Sequence, residues 1–233
     1  MITMVDFHSH LLPSVDDGSR SVEESLQLLD MLRDQHVSTV VATPHFYANE
    51  QSVHKFLQRR QKAYEELVQQ RQPDHPHIRL GAEVRYYPGI SHLDDLRSLC
   101  LEGTRLLLLE MPMTRWTDYT VKELMDIVNA RGVTLVLAHI ERYRQLQDIR
   151  LFERLLQAGV LMQVNATFFT ERWTRHRALK MLGNQMIHFI GSDCHGIRVR
   201  PPYMGEAMGI IGKKFGDEFL SQMNEFATEL ISV

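Results

Sequence analysis

Short apolar runs alternate with longer amphipathic segments along almost the whole chain, and this alternation limits the folds that it can adopt. Several runs are almost continuously apolar, such as Val133–Ala138. Strands of this kind are usually buried on both faces, as in a parallel sheet covered by helices. Strands are predicted at Ile2–Phe7, Val37–Thr43, His77–Glu83, Arg105–Met111, Val133–Ala138, Val160–Asn165 and Met186–Ser192. Seven such units indicate an α/β barrel or an open doubly wound sheet.

The segments between these runs predict helices. The first begins at Ser21, where Ser-Val-Glu-Glu has the form of a capping box. Gly132 and Gly159 directly follow two of the segments, at the position that favours a left-handed residue. The predicted helices are Ser21–Gln35, Ser52–Gln70, Tyr119–Arg131, Ile149–Ala158, Thr174–Leu182 and Tyr203–Lys214.

Composition excludes several classes of protein. The 233 residues contain no Pro/Gly/Ser-rich linker, so we expect one domain over residues 1–233. The net charge of -3 does not indicate nucleic-acid binding, and no apolar run reaches the roughly 18 residues that a membrane span requires. The N-terminus lacks the pattern of a secretion signal, and two distant cysteines fit a reducing compartment. We therefore expect a cytoplasmic protein.

Chemically versatile side chains fall at the C-terminal ends of the predicted strands. They are His8, His10, His45, Glu83, Glu110, His139, Asp193 and His195. In α/β barrels the active site lies on this face, because the loops from strand to helix converge there. A single histidine at a strand end is more often structural, but this many residues at the same end of successive strands are unlikely to coincide by chance.

The spacing of these residues favours metal binding. Residues two apart in an extended chain point to the same side, so His8 and His10 can reach one ion. Asp193 and His195 repeat that spacing, and Asp16 or Asp17 adds a carboxylate near the first pair. Imidazole and carboxylate ligands suit zinc, manganese or iron. A carboxylate such as Glu83 or Glu110 can bridge two ions about 3.5–4 Å apart, and such a pair can hold both the attacking and the leaving oxygen of an in-line displacement.

Three further residues have alternative interpretations. Arg142 and Arg200 follow predicted ligands, and a guanidinium matches the geometry of phosphate oxygens, although either could instead form a surface salt bridge. Cys194 lies between Asp193 and His195 and is predicted to point into the core. The chain lacks the C-x5-R loop of cysteine phosphatases, so no covalent phosphocysteine is expected.

A family resemblance extends from residue 6 to residue 204. The matching motifs are Asp6-Phe7-His8-Ser9-His10, Asp16-Asp17-Gly18, the helix start at Ser21, Ala42-Thr43-Pro44-His45, Gly81-Ala82-Glu83, Ala138-His139-Ile140-Glu141-Arg142-Tyr143, Gln163-Val164-Asn165, Ser192-Asp193-Cys194-His195 and Arg200-Pro201-Pro202-Tyr203-Met204. With them the chain resembles the PHP (polymerase and histidinol phosphatase) superfamily. More closely, it resembles the bacterial manganese-dependent protein-tyrosine phosphatases of capsule and exopolysaccharide operons, the CpsB/CapC type.

The resemblance implies a distorted (β/α)7 barrel that holds three divalent metal ions. The implied metal is Mn²⁺, with iron or zinc as alternatives. The implied ligands are His8, His10, Asp17, His45, Glu83, Glu110, His139, Asp193 and His195. Asp17 is preferred to Asp16 because the family carboxylate directly precedes the glycine of this turn. Arg142 and Arg200 match positions that hold the substrate phosphate.

The implied reaction is hydrolysis of phosphotyrosine, with attack by a hydroxide that bridges the metal ions. The implied substrate is a phosphotyrosine-containing protein, namely a bacterial tyrosine kinase of capsule assembly. Two alternatives stay open: a small-molecule phosphomonoesterase of the histidinol-phosphatase type, and a metal-binding regulatory module without turnover.

Overall fold

The computed structural model describes residues 4–130 and 132–231. Its strands are β1 Met4–Ser9, β2 Val37–Ala42, β3 His45–Phe46, β4 His77–Leu80, β5 Glu83–Arg85, β6 Leu106–Glu110, β7 Thr134–Leu137, β8 Leu161–Asn165 and β9 Phe189–Gly191. Its α-helices are α1 Val22–Asp34, α2 Val53–Val68, α3 Asp118–Ala130, α4 Ile149–Gln157, α5 Thr167–Thr170, α6 Arg175–Gly183, α7 Met204–Phe215 and α8 Asp217–Ile231. None of the helices in the described ranges could cross a membrane.

The strands form a curled, all-parallel sheet, which confirms the predicted α/β class. One part has the order β1-β2-β4 and the other β3-β5-β6-β7-β8-β9. The end of β1 meets the segment that follows β9 through an isolated parallel bridge between Ser9 and Cys194. The backbone N–H of Asp193 donates to the carbonyl of His8 at 2.8 Å, and that of His10 donates to Cys194 at 2.9 Å. The curl of the sheet therefore brings the C-terminal end of β1 next to the segment that follows β9.

One of the seven predicted strands, His77–Glu83, is interrupted, and another, Val37–Thr43, is followed by a short strand that was not predicted. β2 and β3 are separated by Thr43 and Pro44, and β4 and β5 by Gly81 and Ala82. Proline has no backbone N–H to contribute to a strand ladder, so a break is expected at Pro44. After both breaks the chain resumes pairing, with His45 opposite Glu83. The two breaks thus place the predicted ligands His45 and Glu83 side by side on paired strands.

The other predicted elements agree with the structure to within a few residues, but two α-helices were not predicted. Gly132 and Gly159 have φ values of 64° and 85°, as the helix-end prediction requires. The predicted ends at Ile2 and Arg131 lie outside the described residues. The unpredicted helices are α5, which has four residues, and α8, which begins directly after Gly216, a residue with φ of 89°.

The inner face of the sheet is filled by a small apolar cluster. It joins alternate residues of several strands, among them Phe7, Leu106, Leu108 and Val136, and Ile231 of α8 belongs to it. The Phe7 ring stacks on Phe189 with centroids 3.8 Å apart. A larger cluster packs the other face against the helices. The strands are thereby held on both sides, so that their C-terminal ends have fixed positions.

Candidate metal centre

All nine predicted ligands gather at the C-terminal end of the sheet. Three sets of side chains can be defined, and within each set the potential ligand atoms all lie within 4.8 Å of one another. The sets are His10, Asp17, His45 and His195; His8, His10 and Asp193; and His45, Glu83 and Glu110. His139 joins them through its Nε2 atom, which lies 2.8 Å from Glu83 Oε1 and 3.6 Å from Glu110 Oε1.

Glu83 occupies the middle of the cluster and is 1% exposed. Its Oε2 atom lies 3.3 Å from His8 Nε2 and 3.2 Å from His10 Nε2. The same oxygen lies 3.0 Å from His45 Nδ1. Its other oxygen contacts His139, so one carboxylate faces four imidazoles. This position suits a bridging ligand.

Asp16 and Asp17 take different places although they are neighbours in one turn. Asp17 is exposed, and its Oδ1 lies 3.6 Å from His45 Nε2 and 3.5 Å from His195 Nε2. Asp16 instead accepts a hydrogen bond from His10 Nδ1 at 2.6 Å and from the backbone N–H of His45 at 2.9 Å. Burial raises the pKa of Asp16, but its bonds to His10 and to backbone amides outweigh this and lower it to about 2. Asp16 therefore orients a histidine rather than joining the cluster.

Three further histidines are oriented through the ring nitrogen that points away from the cluster. His8 Nδ1 lies 3.4 Å from Gln163 Oε1, and His139 Nδ1 lies 3.0 Å from the Tyr143 hydroxyl. His195 Nδ1 lies 2.9 Å from the backbone carbonyl of Asp193. Contacts of this kind fix the ring orientation of metal-ligating histidines and leave the other nitrogen for the metal.

Gln163 and Asn165 of β8 connect two of the predicted ligands. Gln163 Oε1 accepts from the backbone N–H of His139 at 2.6 Å, which fixes the amide orientation because an N–H can only donate. Gln163 Nε2 then donates to Asn165 Oδ1 at 3.2 Å, and Asn165 Nδ2 donates to Asp193 Oδ2 at 2.7 Å. A directed chain of hydrogen bonds thus runs from His8 to Asp193. Both residues belong to the Gln163-Val164-Asn165 motif, for which the family resemblance implied no role.

Arg142 and Arg200 both contact Asp193. Their Nη2 atoms lie 2.6 and 2.5 Å from Asp193 Oδ2, and Arg200 Nη1 lies 3.0 Å from His195 Nε2. Asp193 Oδ1 faces His8 and His10 instead, at 3.7 and 3.4 Å. The two arginines are therefore ion-paired, but with a buried predicted ligand rather than with a surface residue.

The backbone is strained at three of these residues. His139, Asp193 and Arg200 have φ values of 34°, 51° and 57°. Non-glycine residues adopt this region only where the surrounding structure stabilises it, and such residues cluster at functional sites. The expectation of an extended segment at Asp193–His195 is wrong at Asp193, because β9 ends at Gly191 and the chain turns.

Electrostatics in the cluster favour a cation. Burial raises the pKa values of Glu83 and Asp193, but the surrounding histidines outweigh this and hold both well below their usual range. Burial lowers the pKa of His8, but Glu83 and Asp193 raise it above its ordinary value. Carboxylates that draw protons onto imidazoles are groups that a divalent cation can bind by displacing those protons. Burial, together with His10 and Arg200, lowers the pKa of His195 to about 4, so it stays neutral as a ligand must.

Cys194 packs in the core, as predicted, and is fully buried. Burial raises the pKa of its thiol to about 12, which suppresses the thiolate that a nucleophile would need. We therefore predict that Cys194→Ala keeps most of the activity and loses at most about 1–3 kcal/mol of stability. Kinetics and thermal unfolding of the same preparation test this, and a folded but inactive variant would return a thiol mechanism to consideration.

Comparison with known proteins yields consistent similarities. The family model for capsular polysaccharide synthesis proteins of the CpsB/CapC type matches residues 4–231. Tyrosine-protein phosphatase CpsB of Streptococcus agalactiae serotype III (strain NEM316) is 31% identical over 94% of both chains. The enzyme of the same name from Streptococcus pneumoniae is 34% identical over 91% of both.

One solved structure has a TM-score of 0.83 at 24% identity, and the alignment covers 98% of this chain and 94% of the other. It comes from work on YwqE of Bacillus subtilis and CpsB of Streptococcus pneumoniae, described as metal-dependent tyrosine phosphatases. This likeness concerns the fold and confirms the predicted fold class.

Proposed function

Because the chain belongs to the CpsB/CapC family of capsular polysaccharide synthesis proteins, we propose that it is a metal-dependent protein-tyrosine phosphatase. The observation that carries the proposal is the cluster of nine His, Asp and Glu side chains around Glu83. We propose further that residues 1–233 act as one catalytic domain.

The residues present fit a cluster of divalent ions. The Nε2 atoms of His8 and His10 lie 3.1 Å apart and face the same carboxylate oxygen. His45 Nδ1 is buried and makes no hydrogen bond in the described part of the chain, although it lies 3.0 Å from Glu83. Converging nitrogen atoms of this kind suit a metal ion. We propose three ions, with manganese as the metal and iron or zinc as alternatives, since all ligands are imidazole or carboxylate.

The ligands we propose are His8, His10, Asp17, His45, Glu83, Glu110, His139, Asp193 and His195. The contacts of Asp17 with His45 and His195 favour it over Asp16, which is engaged with His10. When bound, such ions lower the pKa of a coordinated water and withdraw electron density from phosphoryl oxygens, which is the chemistry that phosphomonoester hydrolysis needs.

Arg142 and Arg200 would bind the substrate phosphate. Each lies beside Asp193 and is partly exposed, so a guanidinium at this position can contact both the cluster and an entering ligand. Two planar donors would stabilise negative charge that develops on the phosphoryl oxygens.

The substrate we propose is a tyrosine-phosphorylated protein, specifically a bacterial tyrosine kinase of capsule assembly. The names of the relatives support the substrate class, and the family supports the process. Phenolate is a better leaving group than an alkoxide, so departure needs less assistance from an acid. We propose that the reaction takes place in the cytoplasm. The two free, buried cysteines, Cys100 and Cys194, fit this reducing compartment.

Two competing functions predict different activities. A small-molecule phosphatase would prefer histidinol phosphate to a phosphotyrosyl peptide, whereas a regulatory module would hydrolyse neither. We expect rapid hydrolysis of the peptide with Mn²⁺, loss of activity on exhaustive chelation and recovery on adding Mn²⁺ back. Undiminished turnover by a verified metal-free sample, or a clear preference for histidinol phosphate, would contradict the proposal.

The chain of hydrogen bonds through Gln163 leads to a separate prediction. Gln163→Leu removes the partner of His8 Nδ1 and of the His139 backbone, and changes to such outer partners typically cost about 10–100-fold in metal affinity. Chelator competition with Mn²⁺ measures this loss, and activity should partly recover at high Mn²⁺.

The matched control is Asn224→Leu, which removes another buried amide. Within residues 4–130 and 132–231, the Asn224 side chain hydrogen-bonds to Val5 and Leu220. It should lower stability and leave metal affinity unchanged. Equal metal affinities for Gln163→Leu and the parent would show that Gln163 has only a packing role.

A further inference from the structure

A pocket of about 420 Å³ opens directly beside the candidate metal centre. One wall comes from the loop after β1 and carries Asp17 and Arg20. The other comes from the loop after β9 and carries His195, Arg198 and Val199. Asp17 and His195 are also members of the metal cluster, so the pocket and the proposed phosphate site share a border. We call it the Arg20–Arg198 pocket.

The two arginines of this pocket are free. Both are exposed, and among residues 4–130 and 132–231 neither guanidinium forms an ion pair or a hydrogen bond. Arg142 and Arg200, by contrast, are engaged with Asp193. An exposed guanidinium without a partner can pair with a ligand carboxylate without first breaking another contact.

The one other acidic residue of the pocket, Glu24, is tied to the backbone. Its Oε2 atom accepts the backbone N–H of Arg20 at 3.0 Å. Its Oε1 atom packs so closely on Gly196 that a Cβ there would lie 2.9 Å from it. With Asp17 assigned to the metal, the remaining Asp, Glu, Lys and Arg side chains of the pocket are two arginines and one glutamate, so the pocket keeps an excess positive charge. Val199, which is 74% exposed, adds an apolar surface at the rim.

We propose that the Arg20–Arg198 pocket binds an acidic side chain, Asp or Glu, that flanks the phosphotyrosine of the substrate. This inference rests on the proposed phosphatase function and adds a sequence preference to it. The shared border favours this occupant: when the phosphate lies at the metal cluster, the neighbouring residues of the peptide lie along its rim. A carboxylate there would meet two unpaired guanidinium groups.

The test uses three phosphotyrosyl peptides that differ only at the flanking positions, which carry Glu, Ala or Lys. The measured quantity is the ratio of kcat/KM for the Glu peptide to kcat/KM for the Ala peptide, with saturating Mn²⁺. We expect a ratio above one for the parent, and Arg20→Glu with Arg198→Glu should lower it by about 5–30-fold, mainly through KM. The Lys peptide should improve with the double variant, and the preference should weaken at high salt.

Arg172→Glu is the matched control. Arg172 is another exposed arginine, on the loop between α5 and α6, and it does not line the pocket. Its variant should keep the parental ratio. A parental ratio of one, an unchanged ratio in the double variant, or an equal change in Arg172→Glu would each overturn the proposal.

The inference can fail separately from the proposed function. Hydrolysis of p-nitrophenyl phosphate reports on the phosphatase activity without any flanking residue. Binding of the same three peptides with a non-hydrolysable phosphonate in place of the phosphate reports on the pocket without turnover. If the three phosphonate peptides bind with equal affinity while p-nitrophenyl phosphate is hydrolysed, the pocket assignment is wrong and the proposed phosphatase function still stands.

Discussion

Glu83→Gln is expected to leave the protein folded and to lower kcat/KM on a phosphotyrosyl peptide by at least about 10³-fold. The carboxamide has the same shape as the carboxylate, but its NH₂ group donates where a metal ligand must offer a lone pair. Glu83 contacts His8, His10 and His45 through one oxygen and His139 through the other. Losing it should therefore affect more than one ion, and metal content should fall together with the rate.

The measurement is metal analysis and kinetics on the same preparation, with thermal unfolding to verify folding. Glu123→Gln provides the matched control, because Glu123 is also buried, at 2% exposure, but lies outside the cluster. Its carboxylate accepts from the Tyr86 hydroxyl at 2.6 Å and from the backbone N–H of Gly89 at 2.8 Å. We expect this variant to lose about 1–3 kcal/mol of stability and to keep its metal.

A Glu83→Gln variant that is fully metallated and as fast as the parent would remove Glu83 from the centre. Parallel losses in Glu83→Gln and Glu123→Gln would indicate that the effect comes from burial of a glutamate rather than from its position. The pair of variants thus separates a ligand role from a packing role.

The position of the site could be predicted from sequence because residue type and strand end coincide. Parallel strands place their C-terminal ends at one edge, so His8, Glu83 and His139 had to meet if the strand assignments were right. The break at Pro44 could also have been predicted, since proline interrupts the hydrogen-bond ladder between strands. α8 could have been predicted as well, because Leu220, Ala227 and Ile231 recur at helical spacing.

The conformation of individual residues could not be predicted in this way. The left-handed backbone at His139 and Asp193 depends on contacts with distant segments, such as the bond from Gln163 to the His139 backbone. The pairing of Arg142 with Asp193 joins residues 51 apart in sequence, and nothing in the local pattern indicates it. The choice between Asp16 and Asp17 likewise depends on which carboxylate faces the His10 ring nitrogen that points away from the cluster.

The pairing of both arginines with Asp193 gives them two possible roles. Each could bind the substrate phosphate, or each could act as a positioning residue that holds Asp193 toward His8 and His10. Both roles predict slower turnover in Arg142→Ala and Arg200→Ala, so a rate alone does not separate them. We propose the phosphate role, because one guanidinium group would be enough to hold the single Asp193 oxygen that both arginines contact.

For the phosphate role we expect kcat/KM to fall by roughly 10²–10³ in each alanine variant, the scale seen when one preorganised donor to a developing oxyanion is lost. Lysine should restore the activity only in part, since it keeps the charge but not the planar pair of donors. Metal affinity should equal that of the parent, because neither arginine is a proposed ligand. His139→Ala, by contrast, should lose metal as well as rate.

Competitive inhibition by inorganic phosphate decides between the roles, because the phosphate ion carries no leaving group and reports on binding alone. If the arginines hold phosphate, the inhibition constant should rise in Arg142→Ala and Arg200→Ala while chelator competition gives the parental metal affinity. If they position Asp193, metal affinity should fall and the inhibition constant, measured at saturating Mn²⁺, should stay near that of the parent. Folded, fully metallated variants with parental rates and parental phosphate inhibition would show that neither arginine contributes to the site.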